Sequence, residues 1–339
     1  MRAGVSGATV SRVFNNPESV GEKTREAVLR AAAELSYHPN LIASNFVKGV
    51  SGNIGVIIPN IPNVHIFSVY YFSELLSGIG EALEENGYNL MLFFCKADGS
   101  GTSDYSTYFK SGKVDGCVLL GTQRNDAGVL DLQKMGYKFC LVNNYIEGSD
   151  ISYIDVDNIA GSYEAVMYLI SLGHRRIAFL NGPESYTNSI DRLTGYKKAL
   201  KENDVPYDSK YVLLGNYGKK SGYKASSDIL KLREEPTALF AGNDRMAAGL
   251  IQGLTEKGLK IPEDISVAGY DDSDISTIVQ PALTTVHIPF FEMGKRCIRE
   301  FIKQVKGSQS GSFKVLIKPE LVIRGSTCNK YETASRGLQ

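Results

Sequence analysis

Cysteine is scarce and dispersed in this chain. Cys95, Cys117, Cys140, Cys297 and Cys328 are five in number, with no close pair and no metal-like cluster. An odd, scattered set argues against a disulfide framework and fits a reducing cytosol. Three of them sit in apolar stretches, Phe93-Phe94-Cys95, Gly116-Cys117-Val118 and Phe139-Cys140-Leu141, where a thiol serves as a small core residue. Histidine is scarcer still: the four, His38, His65, His174 and His287, have no metal-ligand spacing. His174, after a helix, suits a structural cap. No glycine-rich phosphate fingerprint follows the apolar run at Ile54, and no nucleophile elbow occurs. Little therefore supports an enzyme, and no metal or cofactor is expected. Charge of one sign is also lacking: 37 basic and 37 acidic side chains cancel, so any contact with nucleic acid must come from a local patch. No charged start leads into an apolar run, and no apolar stretch approaches a membrane span. The expectation is a soluble chain in the cytoplasm, without a membrane partner.

What is present is enough apolar residue for a substantial core. Of 339 residues, 43% are hydrophobic and 22% charged, which fits two compact lobes plus a small appendage and excludes disorder of the body. The opening, Ala3 to Asn16, reads as a glycine turn followed by a short second helix of a helix-turn-helix. Only Met1 and Arg2 precede it, so the first helix, which braces a reading helix in the major groove, has no sequence. A mis-set start is the favoured explanation, loss of the helix the other. A mobile headpiece with weakened operator binding is expected of the chain as written. Gly21 to Tyr37 carries Thr24, Ala27, Val28, Ala31, Ala32 and Leu35 at helical spacing, and His38-Pro39 ends that helix. Residues 40–47 form a possible short helix before the Gly49-Val50-Ser51-Gly52 linker.

From Asn53 onward, short apolar runs alternate with longer amphipathic ones, the pattern of parallel sheets covered on both faces by helices. The fold class is α/β, with an incomplete helical headpiece and a body of two doubly wound parallel sheets. Strands are predicted at Ile54–Pro59, Asn89–Phe94, Gly116–Leu120 and Phe139–Asn143, then at Arg176–Leu180, Tyr211–Leu214, Thr237–Phe240 and Ile265–Tyr270. Helices of the first lobe are predicted at Phe72–Asn86, Ser103–Lys110 and Ala127–Met135, and those of the second begin near Asn158, Ser189, Gly218, Asn243 and His287. Two open sheets imply a cleft, and ligands in such folds lie beyond the carboxyl ends of strands.

The opening stretch, Tyr37-His38-Pro39-Asn40 and the bilobal pattern together resemble the lactose-repressor (LacI/GalR) family of bacterial transcription regulators. Further matches are Gly55-Val56-Ile57-Ile58-Pro59, Leu172-Gly173-His174-Arg175-Arg176-Ile177-Ala178, Arg192-Leu193-Thr194-Gly195-Tyr196, Gly242-Asn243-Asp244, Gly269-Tyr270-Asp271-Asp272 and Pro281-Ala282-Leu283-Thr284-Thr285-Val286. Each is weak alone; in this order they are specific, and they cover nearly the whole chain. The resemblance implies a periplasmic-binding-protein-like body and operator DNA as partner. On its pattern, Gly7, Ala8 and Arg12 face base edges, while Ser6, Thr9, Ser11, Asn15 and Thr24 resemble phosphate contacts. Arg12 stands out because an arginine fork can donate two hydrogen bonds to guanine; a solvated side chain is the plainer reading. Residues 40–47 resemble a minor-groove hinge helix in which Phe46 stands where leucine is usual. Phenylalanine can still wedge a base step, or it can anchor the linker.

The resemblance also implies an effector cleft, and the residue types suit one. Arg192 offers a planar fork of donors for vicinal hydroxyls or a carboxylate, or it forms a surface salt bridge. Asp271, after the strand ending at Tyr270, can accept two hydroxyl hydrogen bonds; Asp272 and Asp274 can supply the helix capping that is its plainer role. Asn143 and Asn243 stand at strand tips as amide ligands or as turn residues. Tyr217 and Phe290 match positions where rings line the pocket, and plain core is the alternative. The aromatic segment of residues 60–72 is read as lining or lidding that pocket, or as cover for the first helix.

The domain boundaries read from sequence are a headpiece at 1–39, a hinge and linker at 40–52, a body at 53–330 and a polar tail at 329–339. Within the body the lobes are about 53–155 with 288–315 and about 157–285 with 316–328. The tail lacks a leucine heptad, so a homodimer rather than a coiled-coil tetramer is expected. The resulting expectation is a ligand-responsive transcription regulator, a repressor in type, whose effector is a carbohydrate. The competing expectation is a cytosolic sugar sensor that lost DNA binding through truncation.

Overall fold

The computed structural model of the chain describes residues 2–37, 49–59, 66–95 and 104–330. Helices α1 (Gly7–Asn15) and α2 (Glu22–Glu34) make the N-terminal unit. Ser6 caps α1, its Oγ accepting from the Thr9 amide at 3.2 Å, which satisfies one of the free donors at a helix start. Val13 and Val28 are buried, and Phe14 meets Tyr37 at 5.9 Å between ring centroids. Residues 40–47, including Phe46, lie outside the described residues.

The body contains two six-stranded sheets. The first is built from β1 (Asn53–Pro59), β2 (Asn89–Cys95), β3 (Gly116–Leu120), β4 (Phe139–Val142), β5 (Ser152–Val156) and β11 (Lys314–Ile317), in spatial order β11-β5-β4-β3-β1-β2. The second holds β6 (Ile177–Asn181), β7 (Val212–Leu214), β8 (Ala238–Ala241), β9 (Ser266–Asp271), β10 (Thr284–His287) and β12 (Glu320–Val322), ordered β12-β10-β9-β8-β6-β7. Every described pairing is parallel except β10 with β12. Ile54, Val56, Ile57 and Ile58 of β1 are all buried, because both faces of a parallel sheet are covered by its crossover helices.

The first lobe's helices are α3 (Tyr70–Glu85), α4 (Ser106–Lys110), α5 (Ala127–Lys134) and α11 (Phe290–Val305). The second lobe's are α6 (Asn158–Ser171), α7 (Thr187–Glu202), α8 (Lys219–Ile229), α9 (Asp244–Thr255) and α10 (Ile275–Ile278). The chain passes between sheets after β5, after β10, and between β11 and β12.

The eight strands expected from apolar runs are present, with ends shifted by a residue or so. β5, β10, β11 and β12 were not expected. In β5 a carboxylate interrupts the apolar run, and in β10 two threonines do. Packing removes that penalty: Thr284 Oγ1 donates to the Arg324 carbonyl at 3.2 Å and Thr285 Oγ1 to Asp244 at 2.5 Å.

Candidate functional site

Gly7, Ala8, Ser11 and Arg12 lie on the solvent-facing side of α1, opposite buried Val13. Their spacing puts them on one helical face. Ser6 and Thr9 are joined by a 3.0 Å hydroxyl contact at the helix start, where amide dipoles favour an anion. Thr24 is half-buried in the first turn of α2, and Asn15 closes α1.

The second site lies where the strand ends of the two sheets meet. Arg192 comes from the second turn of α7, the helix expected to begin near Ser189, and it is 3% exposed. Its Nε donates to Asn158 Oδ1 at 2.9 Å, and its Nη1 donates to the Gly242 carbonyl. Nη2 lies 4.0 Å from Asp271 Oδ1, and the guanidinium stacks 3.8 Å above the Tyr270 ring. Asp271 is the last residue of β9, and its φ of 107° is unusual for a residue other than glycine. Strain of that kind persists where surrounding structure fixes the side chain. Capping falls to Asp274, whose carboxylate accepts from the Ile275 amide at 2.9 Å. Asp272 instead ties His287 at 3.0 Å and Arg324 at 2.7 Å. Asp271 is thus left facing Arg192.

Asn143 directly follows β4 with φ 59°, and its buried Oδ1 has no hydrogen-bond partner. Asn243 caps α9 through the Met246 amide at 2.9 Å and donates to the Tyr217 carbonyl at 3.1 Å. The Tyr217 hydroxyl meets Ser189 Oγ at 2.6 Å and donates to Asn188 at 2.9 Å. A Cβ at Gly182 would overlap the Tyr217 ring, so glycine is what lets that ring lie there. Phe290 opens α11, is buried, and stands edge-on to Tyr71 at 5.1 Å. Of the aromatic segment, residues 60–65 are outside the described residues; Phe67 is exposed and Phe72 buried.

Several junction residues escaped the sequence reading. Asp155 of β5 is fully buried; its Oδ1 accepts from the Val156 amide at 2.7 Å and from Asn158 at 3.4 Å, while Oδ2 has no partner. Asp191, beside Arg192 on α7, accepts from the Tyr145 hydroxyl at 3.1 Å. Tyr71, which belongs to the aromatic segment read from sequence as lining or lidding the pocket, adds a buried hydroxyl without a partner. The one signal available was a lone carboxylate inside the β5 run, which periodicity treats as a break. Burial pushes the Asp155 carboxyl up to about 7. Burial also raises Asp271 to about 7, against the pull of Arg192. Behind it, Asp244 is pushed to about 8, by burial first and by the Asp271 charge second. Such displaced carboxyls mark a polar, water-poor junction.

Among the described residues no group of His, Cys, Asp and Glu could hold a metal ion. None of the described helices is long and apolar enough to cross a membrane. Cys140 and Cys297, far apart in sequence, approach to 3.6 Å between sulfurs in the core and remain free thiols. His174 fastens the end of α6, bonding Thr237 at 3.0 Å and the Cys328 carbonyl at 3.2 Å.

A small helical unit with a capped, exposed face, joined to two parallel sheets that enclose a polar junction, defines a ligand-responsive DNA-binding regulator. Comparison with known proteins agrees. Residues 1–40 match the pattern described as "Bacterial regulatory proteins, lacI family", and residues 166–327 match "Periplasmic binding protein-like domain". The chain is 32% identical over 327 residues to the HTH-type transcriptional repressor CytR of Escherichia coli, covering 96% of this chain and 94% of the relative. It is similar in structure to the lac repressor dimer bound to operator and the anti-inducer ONPF, with a TM-score of 0.82, 29% identity, and coverage of 96% and 97%. The transcriptional regulator CelR–cellobiose complex gives a TM-score of 0.76 at 31% identity, with the same coverage. The chain belongs to the LacI family of bacterial transcription regulators.

Proposed function

We propose that this protein is a cytoplasmic, dimeric repressor, not an enzyme, whose operator affinity is set by a carbohydrate-like effector held between the lobes. Arg192 and Asp271 would grip hydroxyls, Asn143, Asn243 and Tyr217 would add amide and hydroxyl contacts, and Phe290 would back the apolar face of the ring. The observation that carries this reading is the meeting of Arg192 and Asp271, 4.0 Å apart, at the lobe junction, beside the partnerless Asn143 Oδ1. A relative whose structure is described as a cellobiose complex supports the sugar class.

On the DNA side, Arg12, Gly7 and Ala8 would face bases, and Ser6, Thr9, Ser11, Asn15 and Thr24 phosphates, with Phe46 as the minor-groove wedge. The headpiece would span 1–39, the hinge and linker 40–52, the body 53–330 and the tail 329–339, as expected from sequence. A sensor without DNA recognition is disfavoured by the family match over residues 1–40 and by the capped, packed α1. For the dimer, edge strand β2 carries exposed Leu90 and Phe94, with Phe67 packed on Phe94 at 6.3 Å. Effector binding alters operator affinity only through unequal affinity for the two lobe arrangements.

The test is a mobility shift at fixed salt on a palindromic operator, with and without sugars. Binding that a sugar changes supports the reading. A chain that retards operator but answers to no small molecule refutes the effector half, and no retention of operator refutes the DNA half.

A further inference from the structure

The described chain has four buried polar side-chain atoms without a hydrogen-bond partner: Tyr71 Oη, Asn143 Oδ1, Asp155 Oδ2 and Tyr270 Oη. They belong to one neighbourhood. The Asp155 and Asp271 charges both act on Tyr71 and on Tyr270, and Asp155 faces Asp191 and Arg192 of the other lobe. Native proteins pair nearly all such atoms; the Tyr270 hydroxyl lies against Gly161 of α6, so it is Tyr71 Oη, Asn143 Oδ1 and Asp155 Oδ2 at the lobe junction that point to a ligand.

The charges there do not balance. Asp155 and Asp191 are buried and the Asp271 side chain is only 18% exposed, yet Arg192 is the one buried cation among the described residues that faces them. Arg192 already donates to Asn158 and Gly242. Among the described residues Asp191 accepts from the Tyr145 hydroxyl, and Asp155 Oδ2 has no donor. Other charged groups acting on Asp191 are Asp157, which adds repulsion, and the exposed Arg124, which offsets it from the surface. A buried anion is costly unless paired and hydrogen-bonded, so without a cation Asp155 tends to hold a proton, and a cationic ligand would let it ionise. A neutral sugar would supply hydrogen bonds but no charge, and a sugar phosphate would add repulsion. A metal ion is not the answer, because these carboxylates form no metal-holding group. The nearby Tyr71 and Tyr145 rings suit an organic cation; the Tyr270 ring already carries the Arg192 guanidinium.

We propose that the effector is an amino sugar, a polyol bearing one ammonium group, whose nitrogen lies between Asp155 and Asp191 while its hydroxyls take Arg192 and Asp271. This rests on the effector-cleft reading above and narrows its ligand class.

The experiment is calorimetric titration of the full chain near neutral pH with matched pairs: glucose and glucosamine, galactose and galactosamine, mannose and mannosamine, and with a hexose phosphate. The expected result is one amino sugar bound at least about tenfold tighter than its neutral partner. That preference should disappear in Asp155→Asn and weaken in Asp191→Asn. The ligand-free Asp155→Asn protein should also melt higher than the parent, because an amide needs no counter-charge. A neutral sugar bound as tightly as its amine, or a hexose phosphate bound tightest, overturns the amino-sugar proposal and leaves the effector cleft standing. Binding of none overturns both. If Asp155→Asn does not fold, Asp191→Asn decides: an undiminished preference there overturns the proposed position of the nitrogen.

Discussion

Arg192 serves packing with one guanidinium and, in the proposed function, recognition as well. It holds Asn158, the Gly242 carbonyl and the Tyr270 ring in the core, and it offsets Asp271. Replacing it by methionine strands that carboxylate, and removal of one partner of a buried ion pair costs about 3–5 kcal/mol. Arg192→Met should therefore lower the thermal midpoint markedly as well as abolish effector binding. Arg192→Lys keeps the charge but not the planar fork. It should fold, and calorimetry should show effector affinity falling by about tenfold or more. Asp155 makes a second residue-scale prediction with a definite sign. Its folded pKa of about 7 stands above the ordinary carboxylate value near 4. The folded state therefore binds the extra proton, so this group's contribution is present below pH ~4 and is lost as pH rises to ~7. The melting difference between Asp155→Asn and the parent should be small in acid and should grow across that window. A difference that shrinks with rising pH would contradict the assignment.

Helix crossings at the element scale depend on glycines whose reason is invisible in the sequence. A Cβ at Gly249 of α9 would overlap the Lys219 carbonyl and come within 2.6 Å of the Tyr223 amide on α8. Gly222 of α8 faces the Met246 backbone in the same way, and Gly78 and Gly294 do so between α3 and α11. Gly249→Val should destabilise the second lobe by roughly 1–3 kcal/mol or more, the cost of forcing bulk into a packed contact, as denaturant unfolding would show. Ser6→Ala should cost about 0.5–2 kcal/mol of helix stability by removing the cap of α1, read as weaker operator retention. The elements themselves were unequally legible. Apolar runs revealed β1 to β4 and β6 to β9: β1, β3, β4, β6, β8 and β9 are buried on both faces, and the edge strands β2 and β7 are apolar in sequence although partly exposed. β5 carries Asp155, which breaks its apolar run, and β10 carries Thr284 and Thr285, whose partners come from distant segments, so no local pattern reported these strands.

For the whole molecule, function is a coupling between sites. In the proposed function a dimer would lay two copies of α1 on a two-fold operator, and phosphate contacts would make its affinity fall steeply with salt. Arg12→Ala should cost about 1–3 kcal/mol and relax preference at one base position. By contrast, replacing Thr24, proposed to meet phosphate, should weaken all sequences alike. Mobility shifts across an operator series distinguish the two. Effector should move operator affinity in wild type and fail to do so in Arg192→Lys at the same concentration, since the sites communicate only through the lobe arrangement.

The order of apolar runs by itself determined the α/β class and the bilobal plan, which are properties of neighbouring residues that periodicity records; the candidacy of Arg192, Asp271 and Asn143 came from motifs that resemble a known family. Only the tertiary structure decided that Asp274 caps while Asp271 faces Arg192, that Asn243 is held by Met246 and Tyr217, and that Asp155, Asp191 and Tyr71 share one junction. Those residues come from α3, β5 and α7. What they can bind depends on distances and burial that the chain acquires only when its two sheets are brought end to end.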